Sequence, residues 1–151
     1  MAADPALRVA ALDRAAESWL GTPFVPNSAR KGAGVCCHQL MAETYREAGW
    51  LDLQDVPAGD PAHARAGNSS RMLAWLEGPG RRWFDRLWLD EPLHVQPGDL
   101  LLVRYGHVPH HLALVLSGGR VVHVSVRHGV RILPVLPRRF ADHIVAVFRP
   151  Q

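Results

Sequence analysis

The chain has 151 residues, 48% of them hydrophobic and 21% charged, with a formal net charge of +3 and a pI near 9.4. That length suits one domain around one core, and no stretch has the apolar length of a membrane span. The basic residues are almost all arginine, Lys31 being the only lysine, and they are scattered rather than gathered into an aromatic-interleaved stripe, which argues against a nucleic-acid partner.

From Pro5 to Leu20 the apolar positions recur at helical spacing, with Arg8, Asp13, Arg14 and Glu17 outside the stripe. Asp4 before Pro5 is a start signal and Gly21 a stop signal. The first residues lack a basic region followed by an apolar run, so no cleavable secretory signal is expected. A polar, turn-rich loop follows to Ala33. It leads into Gly34-Val35-Cys36-Cys37-His38-Gln39-Leu40, which opens a second helix over about Cys36 to Ala48.

Positions 51–95 form the least regular stretch, an expected insertion. Within it Asn68-Ser69-Ser70 reads as a cap for a short helix from Arg71 to Glu77, closed by Gly78-Pro79-Gly80. Trp83, Phe84, Leu87, Trp88 and Leu89 are bulky enough for a satellite cluster or the lip of a groove. From Gln96 the texture changes to strands: Leu100–Val103, His111–Leu116, Arg120–Val126, Val130–Val135 and Ile144–Arg149, with a helical turn near Arg139 to Asp142. Helices first and an antiparallel meander second predict an α+β domain spanning residues 1–151.

Both cysteines of the chain stand side by side. They make no disulfide framework, and without a CxxC pair they indicate no zinc knuckle. A thiol in the first turn of a helix lies near unpaired N–H groups and the positive end of the macrodipole, which favour thiolate. Cys37 is therefore the candidate nucleophile and Cys36 is read as structural. A nucleophile needs a base, and the base an orienting partner. His111 and His123 are 12 residues apart, 123 − 111, so a hairpin turning at residue 117 brings them together across neighbouring strands. His110 is the rival for the base; His38, His94 and His128 need no role beyond surface or supporting positions.

Several motifs in order resemble the NlpC/p60 family of papain-like cysteine peptidases. They are Leu20-Gly21-Thr22-Pro23-Phe24, Gly34 to Leu40, Gln96-Pro97-Gly98-Asp99-Leu100, His111-Leu112-Ala113-Leu114 and Val122-His123-Val124, with Gly129-Val130 and Phe148-Arg149-Pro150 at the end. The opening and the Lys31-Gly32-Ala33-Gly34 approach look most like the compact, phage-tail-associated branch. The resemblance implies N-terminal helices packed on a C-terminal antiparallel sheet, with Cys37 as nucleophile, His111 as base and His123 orienting His111. It implies hydrolysis of an amide bond in a bacterial cell-wall stem peptide through a thioester, with no metal or cofactor, no nucleic acid and no membrane partner. With no cleavable signal expected, the location expected is cytoplasmic, or virion- or tail-associated with export that uses no cleavable signal.

Three positions depart from the family pattern. Cys36 stands where an Asp is usual, His38-Gln39 where Ser-Gly is usual, and Phe24 where a Tyr hydroxyl often helps to bind the oxyanion. His38 is a substitute donor for the last. Two other classes compete with the peptidase. One is a zinc site drawn from Cys36, Cys37, His110, His111 and His123. The other is a repurposed relative acting as an acyltransferase or assembly factor.

Overall fold

Asp4 starts the first helix as its position before Pro5 predicts. Its carboxylate accepts from the Ala6 N–H at 2.9 Å, and α1 runs over Pro5–Glu17. The helix stops three residues short of the expected Leu20. The Ser18 hydroxyl donates to Ala15 O, and the N–H groups of Trp19 and Leu20 bond carbonyls three residues back, so the chain tightens into a turn before Gly21. The computed structural model describes residues 4–57, 71–89, 94–105 and 108–151, without the side chains of Tyr105 and of 108–110. The expected cap at Asn68-Ser69-Ser70 and the residue His107 lie outside the described residues.

After α1 a two-stranded ribbon, β1 (Ala29–Arg30) and β2 (Gly34–Val35), delivers the chain to the second helix. Gly34 is fixed by space: a Cβ there would come within 2.5 Å of a Val25 methyl. Helix α2 spans Cys37–Glu47 and buries Cys37, His38, Leu40, Met41, Thr44 and Tyr45, mostly the i, i+3, i+4, i+7 pattern of one face. Gly49, with φ +73, ends it beyond the Ala48 cap.

Helix α3 covers Arg71–Glu77, and a 3₁₀ turn at Pro79–Arg82 follows. The bulky residues after it are put to different uses. Phe84–Leu87 form a strand, β3, that the sequence reading did not separate out. Trp83 stacks on Trp75 with ring centroids 5.7 Å apart, whereas Trp88 is 85% exposed. The remaining strands are β4 (Leu100–Tyr105), β5 (Val108–Val115), β6 (Val121–Ser125), β7 (Gly129–Leu133) and β8 (Ile144–Pro150), with a short helix α4 (Arg138–Ala141) before the last.

The sheet has six antiparallel strands in the order β3-β8-β4-β5-β6-β7. It is therefore not the simple meander expected. β4 to β7 follow one another, but β8 crosses back to pair with β4 and with β3. Side chains alternate between two buried faces. Leu100, Leu102, Leu112, Leu114, Val122 and Phe148 pack against α1, α2 and α3. Leu101, Val103, Ala113, Val115, Val121 and Val147 pack around Phe140 of α4 on the other face. This two-sided burial explains the continuous apolar runs of the strands. A buried carboxylate locks the assembly: Asp99 receives the Arg149 guanidinium through two bonds of 2.8 Å and the Gln96 N–H at 2.9 Å.

Candidate active site

Cys37 is the first residue of α2. The first intrahelical bond, from Leu40 N–H to Cys36 O, is 2.9 Å long. Cys36 takes the extended conformation of an N-cap (φ −102, ψ 167), but its side chain makes no capping bond. Its own N–H donates to Ser28 O on the preceding loop. Replacing a capping oxygen by sulfur thus leaves the first-turn N–H groups directed at whatever lies beyond the helix tip. Both cysteines are buried thiols.

The Cys37 thiol lies against the backbone of β5. Burial is the largest single influence and pushes its pKa up. The His38 imidazole beside it, the Leu112 N–H and the His38 N–H act together the other way, and the net direction is down from the ordinary thiol value. The local balance therefore makes this thiol easier to ionise than an ordinary one.

His111 and His123 meet as expected. His111 Nε2 lies 3.3 Å from His123 Nδ1, and both imidazoles are buried. The register is not the expected one. Leu114 pairs with Val122 and Val115 with Val121, so the hairpin is centred on residue 118 rather than 117. The 3₁₀ turn Ser117–Gly119 supplies the offset, closing with Leu116 N–H bonded to Arg120 O. The two histidines are therefore diagonal neighbours on one face rather than directly opposite. Phe140 packs on both rings, with centroids 5.4 Å from His111 and 5.0 Å from His123. Burial, then the charges of Arg139, Arg131 and His128, lower the His123 pKa to about 4.

The thiol and the histidine pair approach β5 from different sides. His111 is opposite Val103 and shares the face of Phe140, whereas Cys37 belongs to the cluster of Leu40, Leu112 and Leu114. The sulfur touches the strand at Leu112, one residue from His111. The pairing of β4 with β5 shifts between Val103 and Arg104, opposite His111 and Pro109, so His110 falls at the irregularity. The His110 side chain lies outside the described residues.

His38 is 4% exposed, and its Nδ1 lies 2.8 Å from Pro57 O. The sequence offers it as a spare oxyanion donor or as a residue in a surface or supporting position. Its place directly after Cys37 was the signal for a closer link to the sulfur. Phe24 forms an isolated bridge with Val35 and packs on the main core, bringing no polar atom to the helix tip. His94 and His128 are exposed. Among the described residues no three His, Cys, Asp or Glu side chains group closely enough to hold a metal ion. No helix among them is long and apolar enough to cross a membrane.

The sequence matches no protein-family model and no curated protein. Solved structures do share its fold. The NlpC/p60 domain of the peptidoglycan hydrolase SagA aligns with a TM-score of 0.59 at 18% identity, over 92% of this chain and 96% of that one. A lipoprotein-like protein of the NLP/P60 family from Staphylococcus aureus aligns with a TM-score of 0.60 at 21% identity, over 99% of this chain but only 43% of that one. The peptidoglycan hydrolase RipB from Mycobacterium tuberculosis gives 0.55 at 19% identity, over 94% and 63% of the two chains. The chain thus spans less than half the length of the Staphylococcus protein and nearly all of the SagA domain. The α+β architecture is that of NlpC/p60 domains.

Proposed function

We propose that this chain is a cysteine peptidase or amidase of the NlpC/p60 family, hydrolysing an amide bond in the stem peptide of the bacterial cell wall. The observation that carries the reading is the Cys37 thiol at an uncapped helix tip, its ionisation favoured by its neighbours, one strand residue from a buried histidine pair. The cell-wall substrate is supported by the fold shared with the SagA and RipB hydrolases.

In this mechanism the Cys37 thiolate attacks the scissile carbonyl. The oxyanion accepts from the Cys37 N–H at the tip of α2. His111, carrying a proton, gives it to the leaving amine as the C–N bond breaks, and a thioester to Cys37 remains. His111 then takes a proton from water, hydroxide adds to the thioester, and the acid leaves with the thiolate restored. The Nε2 of His111 is engaged by His123, so Nδ1 is the nitrogen left to serve the substrate. His123 is held neutral by its surroundings, and a neutral ring can accept from His111 both before and after His111 gains its proton.

Incubation of the protein with purified muropeptides, read by mass spectrometry, tests this. Shortened stem peptides are expected with wild type and none with Cys37→Ala. Intact muropeptides after wild-type treatment would favour the repurposed relative instead.

A further inference from the structure

The residue after the nucleophile is an imidazole that the fold buries and tethers. We propose that His38 is a positioning residue for Cys37: held by Pro57 O, it takes the thiol proton and keeps the sulfur as a thiolate in the substrate-free protein. This rests on reading Cys37 as the nucleophile, and deepens it by separating two tasks, ionising the sulfur and serving the substrate.

Pro57 O can only accept, so the 2.8 Å contact places a proton on His38 Nδ1. That tautomer makes Nε2 the basic nitrogen of the ring. The proton balance is simple: it leaves Cys37 Sγ and arrives at His38 Nε2, giving a thiolate beside an imidazolium that keeps its bond to Pro57. No other reactant is needed. The neighbouring imidazole also acts on the thiol through both charge and hydrogen bonding.

Position favours this assignment over a mere packing role. His38 is in the first turn of α2, where an imidazolium alone is disfavoured by the helix dipole. A thiolate next to it offsets that cost. Other titratable or charged residues with described side chains on elements packed against α2 are Cys36 at the cap, Arg30 of β1, His111 of β5 and His123 of β6. α1 meets α2 towards its other end, where Ser18 bonds Glu47 and Arg8 lies over the Trp50 ring.

The test is the pH dependence of Cys37 alkylation by iodoacetamide, read on the Cys37-containing peptide. It needs no substrate, so its outcome is independent of whether muropeptides are cleaved. Wild type is expected to react at a lower pH than an ordinary thiol does. In His38→Gln the midpoint should rise by at least one pH unit, a tenfold loss of rate at pH values below both midpoints, with the rate recovered at high pH. An unchanged profile in His38→Gln, or a shift produced by His111→Gln alone, would overturn the proposal. If His38→Gln does not fold, wild type still decides. Alkylating Cys37 removes the thiolate, so the His38 ring titration followed by NMR should move down by at least one pH unit. A His38 titration indifferent to alkylation would equally overturn it.

Discussion

His111 Nε2 and His123 Nδ1 lie 3.3 Å apart with their rings nearly perpendicular, at 83°. One nitrogen of such a pair must carry the proton. With His123 kept neutral, the arrangement that serves catalysis has His111 donating from Nε2 and its Nδ1 left for proton exchange with the substrate. Removing the acceptor frees the His111 ring to rotate. His123→Ala is expected to lower kcat by about 10²-fold with a smaller effect on KM, within the usual range for general acid–base groups. Steady-state cleavage of a labelled stem peptide measures it. The same assay separates His111 from its neighbour. His111→Gln should abolish cleavage, whereas His110→Gln should retain it; the reverse result would move the base to position 110.

The same histidine makes stability depend on pH. The His123 pKa is about 4 when folded, against an ordinary value of 6.5. The unfolded chain therefore binds more protons between those values, and stability falls as pH drops from about 6.5 through 4. This group contributes up to about 1.4 kcal/mol per pH unit across that window. Thermal melts at pH 7.5, 5.5 and 4.5 should show Tm falling in wild type and falling less in His123→Gln.

Cys36 occupies an N-cap conformation without a capping atom. Cys36→Ser supplies a hydroxyl that can accept from the first-turn N–H groups. It is expected to stabilise the fold by about 0.5–1 kcal/mol, the usual scale of a cap. A denaturant midpoint that rises with an unchanged m-value is the readout.

Asp99 is fully buried and its charge is met by Arg149, whose guanidinium pKa is raised chiefly by that hydrogen bond. Asp99→Ala leaves the guanidinium and the Gln96 N–H without their acceptor. A loss of about 3 kcal/mol is expected, as when one partner of a buried pair is removed. Urea unfolding measures it, and a loss under 1 kcal/mol would show that solvent readily reaches Arg149.

Local signals in the chain carried much of this architecture. Asp4-Pro5 opens α1, Arg71–Glu77 is a helix as its apolar spacing indicates, and the strands after Gln96 lie where their apolar runs are. What escaped was non-local. Phe84–Leu87 is short, with only Phe84 fully buried, and its partner β8 is more than fifty residues away. Alternation along a strand reports which face is buried, not which strand lies alongside, so the return of β8 between β3 and β4 left no mark. The histidine pair was legible because parity survives the register offset: shifting the centre from 117 to 118 moves each partner by two residues, which keeps both on one face. The division of Cys37 and His111 between faces follows from the alternation at Leu112, which the motif resemblance does not report. The link between His38 and Pro57 spans 19 residues across an irregular segment, beyond the reach of any periodicity.

The central claim is that the sulfur of Cys37 becomes covalently acylated by the substrate. Acid-quenching a muropeptide digest during turnover and mapping the protein by mass spectrometry tests it directly. The predicted result is a stem-peptide acyl mass on the Cys37-containing peptide, removed by hydroxylamine. Cleavage that proceeds with the acyl group on another residue, or with no adduct under conditions that trap thioesters, would contradict it.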